Sequence, residues 1–135
     1  MDRDALVKKA HEVLERAYAP YSGFRVGAAV LAEDGSVYVG CNVESASLGL
    51  TVCAERAAVA AAVAGGATRL RAVAVASEAE APVAPCGACR QVLAEFGPEM
   101  VVVSEAGGRR EQWPLQRLLP EPFLGIPSMP STETR

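Results

Sequence analysis

Two segments constrain the fold more than anything else in the chain. Residues 53–64, "CAERAAVAAAVA", and 86–96, "CGACRQVLAEF", read as helices, each starting at a cysteine and each stopped by glycine, at Gly65-Gly66 and Gly97. Each leads into a continuous apolar run, "LRAVAVAS" at 70–77 and "MVVVSEA" at 100–106. Uninterrupted apolar runs of this length suit strands covered on both faces, not strands with one wet face. A chain that alternates such strands with helices is an α/β sandwich.

The rest of the chain fits that frame. Residues 4–17 place Leu6, Ala10, Val13, Leu14 and Ala17 on one helical stripe, with Asp2 or Asp4 available as a cap. "FRVGAAVLAEDGSVYVGC" gives two strands about Asp34-Gly35, a strong hairpin signal. "NVESASLGLT" reads as a loop, "EQWPL" as an edge strand and "LQRLL" as a last short helix. The link "GGRR" is too short for a parallel crossover, so the strands it joins should pair antiparallel. The expected fold is a three-layer sandwich around a mixed five-stranded sheet, with the first two and last two strands antiparallel. Residues 1–125 are expected to form one domain, and 126–135, poor in apolar residues, a flexible C-terminal tail.

Composition narrows the function. The net charge is −3, and no cluster of five basic residues occurs, which argues against a nucleic acid polymer as partner. The start of the chain lacks the apolar stretch of a signal peptide, and no run approaches the roughly 18 apolar residues of a membrane span. The expected compartment is the reducing cytoplasm, where four cysteines are metal ligands or core residues more often than disulfides.

Cys53, Cys86 and Cys89 all lie at helix starts, whose positive partial charge favours thiolates. Three thiolates gathered there make a tetrahedral zinc site with one position open. Glu55 could complete that site as a fourth ligand, or stand beside the open position and move protons. Other readings of the cysteines are a redox pair of Cys86 with Cys89, and a closed structural site with Cys41 as fourth ligand. Cys41 also suits the end of a strand as a small buried residue. His11 reads as a surface helix residue and Trp113 as packing.

Cys-x-Glu followed by Pro-Cys-x-x-Cys is the signature of zinc deaminases acting on nucleobases. With "VCAER" at 52–56, "PCGACRQ" at 85–91, "AYAPYSGFRVGAA" at 17–29, "GCNVES" at 40–45 and "LLPEPF" at 118–123, the chain resembles the small cytidine deaminases along nearly its whole length. The resemblance implies one zinc ion per chain on Cys53, Cys86 and Cys89. It implies hydrolytic deamination of cytidine and deoxycytidine to uridine and deoxyuridine, with release of ammonia, as in pyrimidine salvage. Glu55 would be the proton shuttle, and Arg56 would donate to the ligating sulfurs. Backbone groups at Ala54 and Pro85 would hold the base edge, Asn42 and Glu44 the ribose, and Phe24 would pack on the nucleoside. Phe123 would enter a neighbouring subunit's site, making a homotetramer with shared active sites. The chain departs from the family at Ser45, often Asn, and at Leu48, often aromatic, which affects the sugar pocket and the subunit seam.

Overall fold

A computed structural model describes residues 2–126 of the chain. The part of the expected tail beyond Ile126 lies outside the described residues. The elements in chain order are α1 (Arg3–Leu14), β1 (Val26–Ala32), β2 (Val37–Cys41), a 3-10 turn (Leu48–Leu50), α2 (Ala54–Ala64), β3 (Leu70–Ser77), α3 (Gly87–Phe96), β4 (Val101–Ala106), β5 (Arg109–Pro114) and α4 (Leu115–Leu118).

The sheet has five strands in the order β2-β1-β3-β4-β5. Pairing is antiparallel except between β3 and β4, which run parallel. This is the mixed sheet expected, with both end pairs antiparallel. β1 and β3 are the most deeply covered strands, and their sequences "VGAAVLA" and "LRAVAVAS" are apolar on both faces for that reason. β5, "RREQWP", is an exposed edge strand, and its charges discourage pairing with another chain. The link between β4 and β5 is shorter than expected. Only Gly107 and Gly108 lie outside the strands, both at positive φ (60° and 75°), and Arg109 and Arg110 belong to β5. Two successive positive φ values make the tight turn whose twist matches a hairpin, and glycine reaches them without strain.

The core has two halves. On one face Leu6, Val7, Ala10 and Leu14 of α1 cover Ala29, Ala74 and Val103 of the sheet. On the other, Ala54, Ala58, Ala62 and Leu93 of α2 and α3 cover Val30, Val73 and Val102. Trp113 packs against this second half. Asp2 caps α1, its carboxylate accepting from Ala5 N at 2.8 Å. The helix ends at Leu14, not at Ala17 as its apolar stripe suggests. Arg16 N and Ala17 N turn back to the carbonyls of Val13 and Leu14, and Tyr18 N donates to Asn42 O at 2.9 Å. That bridge draws the chain out of the helix.

The topology places the two cysteine-led helices together. β2 and β3 are each antiparallel to β1, so they run parallel to one another on either side of it. The connection from β2 to β3 goes through α2, and that from β3 to β4 through α3. Both crossovers advance the same way across the sheet, so a common hand puts both helices on one face. Both helices start beyond the C-terminal ends of parallel strands, where such sheets form sites. Among the described residues no helix is long and apolar enough to cross a membrane.

Candidate metal centre and nucleoside site

Cys53 is the N-cap of α2 and Cys86 the N-cap of α3, both extended, and neither side chain caps its helix. Serine or aspartate at such a position would usually accept from the helix's own amides. Here both sulfurs are left for another purpose. Cys89 lies one turn into α3 and is buried. The three sulfurs lie within 4.8 Å of one another, and among the described residues no carboxylate joins the group. All four cysteines are free thiols, so Cys86 and Cys89 do not form a disulfide. Cys41 ends β2, half-buried, and is not part of the sulfur group.

Charge within the group is shared unevenly. Cys53 is held down to about 5, chiefly because the Cys89 thiol donates to its sulfur, with further help from Arg56 and Cys86. Cys89, which donates in that pair, is pushed up, and burial adds to the effect. Arg56 Nη2 lies 3.5 Å from Cys53 Sγ and donates to Thr51 O at 3.2 Å. The sulfur contact holds its guanidinium above the ordinary range. Arg56 Nε is buried without a partner. An orphaned cationic donor beside a cluster of thiols matches what three metal-bound thiolates need, because their negative charge needs a donor in close contact.

Glu55, second residue of α2, is 6% exposed, which is rare for a glutamate. Burial pushes its carboxyl up, and the Cys53 thiolate adds to this against the pull of its own backbone N–H and of Arg56. The result is an acid that holds its proton further toward neutral pH than an ordinary glutamate.

A second group of residues forms around residues 42–44. Asn42 is buried; its Oδ1 accepts from Val26 N at 2.9 Å and its Nδ2 donates to Phe24 O at 2.9 Å. Glu44 Oε1 accepts from Tyr21 N at 2.9 Å and Ser22 N at 3.1 Å, and Ser22 Oγ donates to Oε2. Those donors, the Ser22 hydroxyl foremost, hold the Glu44 carboxyl below the usual range. Ser22 Oγ also accepts from Phe24 N at 3.0 Å. Phe24 itself is 38% exposed.

The segment expected as a loop links the two groups. Val43 pairs antiparallel with Val52, each N–H donating to the other's carbonyl at 2.9 Å, and Tyr18 bridges Val43 from the other side. The pairing brings the backbone of residues 42–44 alongside that of residues 51–53. Ser45 N donates to Thr51 Oγ1, and Ser45 Oγ accepts from Ser47 N, both at 3.1 Å, so Ser45 helps close the 3-10 turn. Leu48, in that turn, is 76% exposed.

Ala54 and Pro85 are both buried, and Pro85 O accepts from Arg90 Nε at 2.7 Å. Phe123 is joined to α3 through Gln91. Sequence reasoning did not single out Arg90 or Gln91. Their only signal is their place directly after Cys89, and helix periodicity does not show which loop carbonyl a long polar side chain reaches.

Three thiols at two adjoining helix starts, with a buried acid outside the sulfur group, make this an α/β protein built around a zinc-type site. Over residues 1–105 the chain matches the family model for the cytidine and deoxycytidylate deaminase zinc-binding region. It is 46% identical over 125 residues to the cytidine deaminase of Sporosarcina psychrophila, covering 91% of this chain and 92% of that protein. It is 42% identical over 130 residues to a cytidine deaminase of Mycobacterium tuberculosis, covering 96% of this chain and 95% of that one. The crystal structure of cytidine deaminase from Burkholderia pseudomallei superposes with a TM-score of 0.87 at 47% identity, over 91% of this chain and all (100%) of that one. The chain belongs to the cytidine deaminase family.

Proposed function

We propose that the chain hydrolyses cytidine and deoxycytidine to uridine and deoxyuridine, releasing ammonia. One observation carries the reading: three sulfurs within 4.8 Å of one another, with Glu55 buried nearby and outside their group. The donor set fits zinc, which takes thiolates in tetrahedral sites. Cys53, Cys86 and Cys89 would hold the ion, which would supply a water made much more acidic, its pKa lowered toward about 7.

The chain's own residues do the rest. Arg56 and the two helix ends offset the charge of three thiolates, which would otherwise hinder that acidification. Glu55 would take the proton that this water releases as its oxygen bonds to C4 of the pyrimidine, and would pass it to N3. Glu55 then carries the second proton to the 4-amino nitrogen, the C4–N bond breaks, and ammonia leaves. A carboxyl whose burial raises its pKa suits both transfers.

The binding roles follow from what each group has left to offer. An ionised carboxylate has about four acceptor sites. Tyr21 N, Ser22 N and Ser22 Oγ occupy three on Glu44, leaving room for one sugar hydroxyl. Asn42 keeps one N–H and one lone pair beyond its two contacts. Pro85 O gives one lone pair to Arg90 and, with the Ala54 backbone, holds the base edge. Phe24 packs on the nucleoside. Phe123, 55% exposed, reaches a neighbouring subunit's site in a homotetramer. Residues 1–125 act as one deaminase domain in the cytoplasm, in pyrimidine salvage.

The test is direct. Purified protein mixed with cytidine should lose the cytidine ultraviolet band, release an equal amount of ammonia and hold about one zinc per chain. Glu55→Ala should keep that zinc and lose about a thousandfold or more in kcat. Zinc without turnover in the parent protein would make this a structural site; zinc lost from Glu55→Ala would make Glu55 a ligand and remove its shuttle role.

A further inference from the structure

Two neighbouring side chains of α3 reach α4 and the segment that follows it. Arg90 spans two carbonyls: Nε donates to Pro85 O at 2.7 Å and Nη1 to Leu118 O at 2.9 Å. Gln91 makes a two-sided contact with one residue. Its Nε2 donates to Phe123 O, and its Oε1 accepts from Phe123 N at 3.3 Å. Residues 119–126 belong to no helix or strand, so their backbone has few regular partners. A carboxamide that takes both the N–H and the C=O of one residue fixes that peptide in two directions, as a paired strand residue would. Phe123 is meanwhile largely exposed, which leaves the hold to its backbone.

We propose that Gln91 is a positioning residue: its carboxamide clamps the Phe123 backbone and so sets where that aromatic ring is presented. Arg90 anchors the end of α4, at Leu118, from which that segment leaves, and ties it to the turn that carries Cys86. The ring is thereby held in register with the metal end of α3. The consequence for turnover rests on the reading in which Phe123 completes a neighbouring subunit's nucleoside site; the clamp itself does not depend on it.

The experiment uses zinc-loaded, full-length protein and the variants Gln91→Met, Gln91→Glu, Phe123→Ala and the double variant Gln91→Met with Phe123→Ala. Hydrogen–deuterium exchange in residues 119–124 should accelerate about tenfold or more in Gln91→Met. Gln91→Glu keeps the acceptor for Phe123 N and should show a smaller acceleration. Zinc content should not change in any of the four. KM for cytidine should rise roughly tenfold in Gln91→Met with kcat nearly unchanged, as expected for a lost aromatic packing contact. In the Phe123→Ala background, adding Gln91→Met should change KM by less than about twofold, because the clamp would have nothing left to present.

Unchanged exchange at 119–124 in Gln91→Met overturns the clamp. A full further loss on top of Phe123→Ala, or loss of zinc from Gln91→Met, overturns the positioning role, since Gln91 would then act on the metal end of its own helix. If the parent protein does not deaminate cytidine, the functional reading fails, and the exchange arm still decides the clamp.

Discussion

The carboxamide of Asn42 holds Val26 N and Phe24 O at 2.9 Å each, and the carboxylate of Glu44 holds Tyr21, Ser22 and, through the Ser22 hydroxyl, Phe24. Both residues therefore help build the loop that carries Phe24. Asn42→Ala should destabilise the fold by about 2 kcal/mol, since it strands a partly buried donor and acceptor; thermal unfolding measures this, and a shift within error would mean the contacts carry no net energy. Glu44 has its folded pKa depressed below 4.5, so its contribution is complete above that value and is lost as pH falls through the depressed one. The stability gap between the parent and Glu44→Gln should accordingly narrow as pH drops below about 4.5. Urea unfolding across pH 3 to 7 checks it, and a gap that stays constant would count against the assignment. For Arg56→Ala, which removes the donor to Cys53 Sγ, the expectation is a roughly 10–100-fold weaker hold on zinc in a chelator competition.

At the scale of elements, α2 lies on β2 with almost no intervening side chain. Ala54, Ala58 and Ala62 form its buried stripe, and the opposing strand carries Gly40. A Cβ at Gly40 would fall 2.3 Å from Ala58 N and 2.8 Å from Ala54 O. Helix backbone cannot yield there as a flexible side chain would, so the helix must move as a body. Gly40→Ala should cost about 1–3 kcal/mol and displace the α2 start, lowering zinc affinity along with stability. Differential scanning calorimetry with zinc analysis reads both, and normal zinc content in a destabilised variant would separate the packing from the site. The alanine-rich composition of α2 was visible in the sequence, but its purpose was not. Alanines at that spacing give good helix propensity anywhere, and only the strand opposite shows that they permit a close approach.

For the whole molecule, the metal site joins two helices that enter from different crossovers. Removing the metal should loosen the end of the molecule where α2 and α3 start. The expected result of chelation is a fall in the unfolding temperature of about 5 °C or more, reversed by added zinc, because a ligand that binds only the folded chain stabilises it by mass action. An unchanged temperature in verified zinc-free protein would mean that the helix starts are held together by packing alone.

What the sequence determined was the chemistry. Cysteine at two helix starts, glutamate two residues after the first, and apolar runs that only a covered sheet can use are all local patterns, set by side-chain type and spacing. The antiparallel end pairs also followed from local facts, a hairpin turn and a link too short to cross over. Tertiary structure decided which strands are neighbours, that β2 and β3 run parallel on either side of β1, and hence that the three sulfurs meet. It also decided that a segment read as loop pairs through Val43 and Val52, bringing the backbone of residues 42–44 alongside that of 51–53, and that Gln91 holds Phe123. Those contacts are made by a long polar side chain or by an isolated bridge. Such contacts leave no periodic trace in the sequence; they exist only once the sheet has fixed where each backbone runs.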